Sequence, residues 1–427
     1  MRPERWRRIE KLYYAAIDLS PDERRAFLDR ACADDPDLKQ EIEELLRHDT
    51  GGGSSIAAAI DGVSRLVMLE GGEVGPGTSI GAYNIVERIG QGGMGDVYRA
   101  EQVAPVQRSV ALKLIKAGMD TRAVIARFES ERQALAMMDH PNIARVFDFG
   151  STELGRPYFT MEFVQGVPIT RYCDEHRLDT RERLDLFLPV CEGVQHAHQK
   201  GITHRDLKPS NILVSVVDDR PVPKIIDFGI AKATARGMTG QTMFTEAGQM
   251  IGTPEYMSPE QAGMAGADVD TRTDVYSLGV LLYEVLVGVL PFDREDLPES
   301  GLDGLRRTIL EVEPPRPSTR VSGLGEASEE VARNRRTDLP ALVRQLRGDL
   351  DWITMKALEK DRARRYAFPS ELAADIRLHL NDQPVLAGPP GLLYRSGKFV
   401  RHTGSALRQP SWSCLPSWAA SSEPRPA

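Results

Sequence analysis

Cysteine is scarce. The four in 427 residues, Cys32, Cys173, Cys191 and Cys414, are too scattered for a disulfide framework or a metal-ligand cluster, and a reduced compartment is the simpler reading. Positive charge is short as well. Lys and Arg total 54 against 62 Asp and Glu, a formal net charge of -8. That balance supplies no overall positive field to gather nucleic acid, so no nucleic-acid partner is expected, although local basic patches stay open. Long apolar runs are also missing. The basic start MRPERWRRIEKLYY leads into no apolar core of the signal-peptide kind, and VLAGPPGLLY near the end is too short and too broken by proline and glycine to span a bilayer. Together these absences predict a soluble, cytoplasmic chain with no transmembrane segment.

What is present falls into blocks. Trp6, Ile9, Leu12 and Tyr13 recur at helical spacing, as do Phe27, Leu28 and Cys32, and Ser20-Pro21-Asp22-Glu23 between them carries an N-cap and a proline at the first helical position. With LKQEIEELLRHD these runs predict a small helical extension over 1–50, followed by a linker over 51–82 that begins GGGSS. Nothing in that extension suggests chemistry. From Tyr83 the pattern changes to short β-like runs, YNIVERI, GDVYRA and SVALKLI, and ARVFDFG and RPYFTMEFV return to strand character after the helical TRAVIARFESERQALAMM. Beyond residue 170 the long runs are helical, RERLDLFLPVCEGVQHAHQKG and DVYSLGVLLYEVLVG among them. The polar stretch 294–348, rich in Pro, Arg and Glu, reads as a short helix and a surface excursion before LDWITMKALEK and PSELAADIRLHL. The predicted architecture is α+β, with a small β-rich lobe, a larger helical lobe and a cleft between them.

Gly90-Gln91-Gly92-Gly93-Met94-Gly95-Asp96-Val97 lies between two β-like runs. Glycines at 90, 92 and 95 let backbone approach phosphate oxygens. On this motif alone a glycine hairpin over phosphates, a dinucleotide site and an ordinary turn all stay open; the strand-like VYRA after it favours the hairpin. Lys113 in VALKLI follows, and a buried ammonium there needs a phosphate, a carboxylate or both. Glu131 in RFESERQAL is its expected partner, with Glu129 as the rival.

The most informative run is His204-Arg205-Asp206-Leu207-Lys208-Pro209-Ser210-Asn211, followed by Asp227-Phe228-Gly229. Asp206 would align an attacking hydroxyl or accept its proton. Lys208 would balance charge on a phosphoryl group in transfer, and Asn211 and Asp227 would hold Mg²⁺, or Mn²⁺, against phosphates. His204 reads as a packed residue rather than a base or ligand. Arg205 could meet a phosphate on the segment from Asp227 to Glu260, where Thr245 and then Thr242 are the first choices for modification.

In this order, GQGGMGDV, VALK, Glu131, HRDLKPSN, DFG, GTPEYMSPE, DVYSLGV and RARRY resemble the bacterial members of the eukaryotic-type serine/threonine protein kinase family. The resemblance covers about 83–381 and implies a two-lobed protein-kinase fold, with an N-lobe over about 83–164 and a C-lobe over about 165–381. It also implies ATP as phosphoryl donor, protein serine or threonine acceptors, and transient self-association for autophosphorylation. Carried over with it are Asp274 as a brace of the catalytic loop, a Glu260–Arg365 pair, and contact of Thr253 with Asp206 and Lys208. Met161 resembles the gatekeeper, Glu162, Phe163 and Val164 the adenine-facing hinge, and Val97, Ala111 and Leu213 the adenine walls. Ser258 stands where the family more often has alanine. The N-terminal helices resemble the extension of one subgroup. Many relatives continue past LLYRSGKFVRRH-like sequence into a membrane helix and sensor, whereas here 382–427 reads as a largely disordered tail, native, truncated or out of frame. Two rival functions stay in view: an ATP-binding scaffold with little catalysis, and a small-molecule kinase on the same fold.

Overall fold

Tyr83 lies on the second strand of a six-stranded sheet and Asp148 on the sixth, yet the Tyr83 hydroxyl donates to Asp148 Oδ2 at 3.2 Å. With strand spacings near 4.8 Å, a flat sheet would hold these two strands about 19 Å apart. The sheet is therefore strongly curled. In the computed structural model its strands are β1 (Ser79–Ile80), β2 (Tyr83–Gly92), β3 (Gly95–Gln102), β4 (Arg108–Ile115), β5 (Val146–Ser151) and β6 (Pro157–Glu162), antiparallel in the order β1-β2-β3-β4-β6-β5. The structure describes residues 74–92, 95–115, 137–153, 155–228, 254–263, 270–292 and 301–389, together with 21–32 and isolated positions at 12, 16, 35, 38, 39, 42 and 135.

Alternation along each strand decides what the curl encloses. Val110, Leu112 and Leu114 of β4 share one face with Tyr98, Ala100, Tyr158 and Thr160, and all are buried. The Tyr158 hydroxyl fills the inside of the bend: a Cβ built on Gly81 would stand 2.7 Å from it, and one on Gly150 2.5 Å. A side chain at either place would have to displace the Tyr158 ring. Ala111, Lys113 and Ile115 point to the opposite face, which borders the cleft and the main hydrophobic core.

The chain leaves β6 through Phe163–Gly166 into β7 (Val167–Pro168) and α2 (Ile169–Glu175), then α3 (Thr180–Gln199). A capping box starts α3: Asp179 accepts from Glu182 N, and the Glu182 side chain returns to Asp179 N. β8 (Ile212–Val217) and β9 (Arg220–Ile225) pair as a hairpin, with β7 on the outer side of β8. Next come α4 (Pro259–Ala262) and α5 (Arg272–Val287). Fourteen of the sixteen residues of α5 are buried, so this helix is the axis of the helical part.

Gly288, at φ 85, ends α5 in the left-handed conformation and donates to Glu284 O at 2.7 Å. Beside it two buried guanidiniums take the free carbonyls: Arg183 Nη1 and Arg335 Nη2 both reach Val285 O at 3.1 Å, and Arg335 Nε reaches Leu286 O at 2.5 Å. Burial and the neighbouring Arg183 charge push Arg335 down to about 9.

The stretch 294–348 departs from its expected character. Its described part, 301–348, holds four helices, α6 (Gly301–Glu311), α7 (Pro317–Ser322), α8 (Ala327–Arg333) and α9 (Leu339–Leu346), and Val321, Ala332, Leu342 and Leu346 enter the core. Part of its polar content is built in: Ser318 N and Oγ both donate to buried Asp351, at 2.9 and 2.6 Å. α10 (Asp349–Ala357) and α11 (Pro369–Leu380) close the helical part. The chain then continues on the core past Asn381. Buried Asp375 accepts from Leu386 N at 2.6 Å and Ala387 N at 2.9 Å, and Val385 is buried, so at least these residues of the expected tail are docked.

The chain divides into two compact units, Met1–Gly75 and Pro76–Ala427. In the first, α1 (Pro21–Ala31) begins at the expected proline, and Ala16, Leu28, Cys32, Leu38 and Ile42 form a small core. Among the described residues no helix is long and apolar enough to cross a membrane.

Candidate active site

A cleft of about 600 Å³ opens between the curled sheet and the helical part. Its roof is Ile89, Gly90, Gln91, Gly92, Gly95 and Val97 from the β2–β3 hairpin. Gly95 is forced by contact: a Cβ there would stand 2.2 Å from Leu114 O of the neighbouring strand. Phe163 to Gly166 form the connecting wall, and Leu213 and Ile226 belong to the floor strands and their extension.

Lys113, Asp206, Lys208, Asn211 and Asp227 border the same space. Lys113 comes from β4 and stands opposite Val97 and Phe159 in register. Its Nζ lies 2.5 Å from both carboxylate oxygens of Asp227. The expected partner Glu131 lies outside the described residues, as do Thr242, Thr245 and Thr253. Lys208 Nζ is 3.1 Å from Asp206 Oδ2. Asn211 Nδ2 donates to Asp206 O at 2.8 Å and to Asp206 Oδ2 at 3.3 Å, which leaves the amide oxygen as a donor for a cation. With the Asp227 carboxylate that makes a hard oxygen pair, suited to Mg²⁺ or Mn²⁺.

Two of these loops carry backbone strain. Arg205 has φ 64 and Asp227 φ 62, left-handed values that cost about 1–3 kcal/mol each when forced on a residue with a side chain. Asp274, fully buried near the start of α5, holds the first loop. It accepts from His204 N at 2.8 Å, Arg205 N at 2.7 Å and His198 Nε2 at 2.7 Å. Burial works to raise its carboxyl, but the hydrogen bond and charge of His198, then His204 and Arg205 N, prevail and hold it below the usual range.

His204 ties the two loops together. Its ring lies 4.7 Å from Phe228, Nε2 meets Ile226 O at 3.1 Å, and Nδ1 accepts from Asp206 N at 3.3 Å. These partners select the neutral Nε2–H tautomer, and burial lowers the imidazole in the same sense. Residues 260 and 261 are fastened too. Arg365 Nη1 and Nη2 each reach a Glu260 oxygen at 2.7 Å, and Gln261 Nε2 donates to Arg205 O at 3.0 Å.

Of the expected nucleotide contacts, Gly90, Gly92, Gly95, Val97, Lys113, Val164 and Leu213 line the cleft; Ala111 and Glu162 do not. Ala111 is packed into the core beside Met161, and the Glu162 carboxylate turns to Lys224 at 2.7 Å. Ile89, Gln165, Gly166, Ser210 and Ile226 line the cleft without having been singled out. Ser210 sat inside the quoted motif, and Gln165-Gly166 directly follow the connecting residues, so position alone could have pointed to them.

Comparison with known proteins agrees with this geometry. The protein kinase domain family matches residues 83–370. Serine/threonine-protein kinase Pkn1 of Myxococcus xanthus is 39% identical over 257 residues, 60% of this chain and 35% of that protein. Serine/threonine-protein kinase pkn3 of the same organism is 35% identical over 72% of this chain and 54% of that protein. Serine/threonine-protein kinase PknB of Mycobacterium tuberculosis is 34% identical over 71% of this chain and 44% of that protein. The chain thus spans between about a third and about half the length of these curated relatives. The crystal structure of the Mycobacterium tuberculosis PknI kinase domain superposes with a TM-score of 0.51 at 24% identity, covering 72% of this chain and all of that one, a likeness of fold. With more than half of its length matched by the family and the family's residues gathered in one cleft, the chain belongs to the protein kinase domain family.

Proposed function

We propose that this chain is a serine/threonine protein kinase that transfers the γ-phosphoryl group of ATP directly to hydroxyls of protein substrates. The observation that carries this reading is the convergence of Lys113, Asp206, Lys208, Asn211 and Asp227 on one cleft roofed by the glycine hairpin. Phosphoryl transfer asks little covalent chemistry of a protein and much positioning and charge balance, and these are the groups present. The hairpin backbone would cover the triphosphate, and Lys113 would exchange its hold on Asp227 for the phosphate oxygens. Asp206, restrained by Asn211 and flanked by Lys208, would orient the acceptor hydroxyl and take its proton. Asn211 and Asp227 would hold a divalent cation, Mg²⁺ or Mn²⁺, whose charge neutralises the phosphate oxygens during transfer.

Regulation by autophosphorylation of Thr245 or Thr242 during transient self-association belongs to the same proposal, with Arg205 as receiver of the phosphate and Thr253 beside Asp206 and Lys208. Glu131 would hold Lys113 in the active arrangement. Use of ATP, and free buried cysteines Cys173 and Cys191, support a cytoplasmic place for the catalytic unit. The unit we assign to catalysis begins near residue 83 and runs to Gly388, a few residues beyond the 381 boundary read from sequence.

The test is incubation of the purified chain with γ-labelled ATP, Mg²⁺ and a generic protein substrate beside Asp206→Asn, with phosphosites mapped by mass spectrometry. Label on serine and threonine that drops about 100-fold or more in the variant is expected. Equal label in a folded variant would overturn the reading.

A further inference from the structure

Glu162 is the last residue of β6, and the four residues after it line the cleft. Its own carboxylate leaves that wall and meets Lys224 on β9, with Nζ 2.7 Å from Oε1 and 2.8 Å from Oε2. Arg145 N donates to the same carboxylate at 3.4 Å. Lys224 is the cross-strand neighbour of Leu213, a cleft residue, and stands three positions before Asp227. Side-chain exposures of 18% for Lys224 and 30% for Glu162 keep the pair partly out of solvent screening.

Other hydrogen bonds already join residues 142–144 to β9. Asn142 Nδ2 donates to Pro223 O at 2.9 Å and Ala144 N to Ile225 O at 2.9 Å. The ion pair adds a link these do not provide, from the end of β6 to β9. One strand leads into the connecting wall, and the other delivers Asp227.

We propose that Lys224 and Glu162 are positioning residues for the nucleotide, fixing the span between the connecting wall and the phosphate end of the cleft. The inference rests on the kinase reading for the identity of the ligand and on the geometry for the rest. A lysine at mid-strand ordinarily extends its ammonium into water. Here it is spent on a carboxylate one residue from the cleft wall. Without the pair, the ties at 142–144 remain but the direct link from the end of β6 to β9 is lost, and a ligand that touches both walls must order that span as it binds.

The full chain is titrated with a fluorescent ATP analogue and Mg²⁺, so that binding is read apart from phosphoryl transfer. Lys224→Met keeps the apolar stem and removes the charge. It should weaken binding about tenfold, equivalent to about 1.4 kcal/mol. The maximal rate at saturating ATP should stay within about twofold of wild type, and the thermal midpoint should be nearly unchanged. Lys224→Arg should bind as wild type does. Glu162→Gln should show the same loss as Lys224→Met, and the double variant no more than either alone. Wild-type affinity in Lys224→Met, or losses that add in the double variant, would overturn this inference alone. Absence of nucleotide binding by the wild type would overturn the proposed function and this inference with it.

Discussion

Replacing Asp274 by asparagine should damage stability and catalysis together, because one carboxylate serves both. The side chain is fully buried and accepts three hydrogen bonds, from His198 Nε2, His204 N and Arg205 N, all within 2.8 Å. Asparagine keeps the shape but offers one acceptor oxygen, so its amide nitrogen must face at least one donor. A buried donor left without a partner costs about 1–3 kcal/mol, toward the upper end where a charged acceptor is lost. We expect a loss of about 3 kcal/mol in urea unfolding. The left-handed backbone of Arg205, worth about 1–3 kcal/mol of strain, then loses its fastener. Asp206 is the next residue, and a displacement of about 1 Å there is enough for a 100-fold fall in kcat. Unfolding and steady-state phosphorylation would be measured on the same preparation. A variant within about 0.5 kcal/mol of wild type would refute the energetic argument. A destabilised variant with unchanged kcat would refute the claim that Asp274 positions the catalytic loop.

Two further changes test the frame around the cleft. Arg365→Ala strips the bidentate partner from Glu260, whose side chain is only 10% exposed, and should cost about 3–5 kcal/mol in urea unfolding; a loss below about 1 kcal/mol would show that the pair contributes little. Glu284 accepts from the Tyr256 hydroxyl, yet burial raises its carboxyl from 4.5 to about 7. Since the folded value is the higher one, its contribution is fully present below about pH 4.5 and is lost as pH rises through 7, by at most about 3 kcal/mol. Glu284→Gln should remove that slope from stability measured between pH 4 and 8, and an unchanged slope would assign it to other groups.

The cleft was legible in the sequence because its chemistry is dense: Asp206, Lys208 and Asn211 fall within six residues, and no apolar core uses such a run. The strands were legible for a simpler reason, their short β-branched and aromatic runs, even though β4 and β6 are buried on both faces. Arginine misled the reading of 294–348. Arg335 is almost wholly buried, and its guanidinium satisfies carbonyls at the end of a helix nearly fifty residues away. No local pattern announces such a partner. The docking of residues 385–387 was invisible likewise, since it depends on Asp375 facing backwards from α11. Glu162 shows the reverse case: the resemblance gave its place beside the cleft, but only the fold gives its side chain's direction.

The curl of the sheet bears on how the cleft opens. An open fan of strands can lift its glycine hairpin while the far edge stays still. Here β2 and β5 are joined through Tyr83 and Asp148, and Thr160 of β6 donates to the same Tyr83 hydroxyl at 3.2 Å. A hoop closed in this way resists local bending, so the hairpin and the strand leading to Glu162 travel together. On this geometry the cleft is expected to open by movement of the curled sheet as one body rather than by lifting of β2 alone.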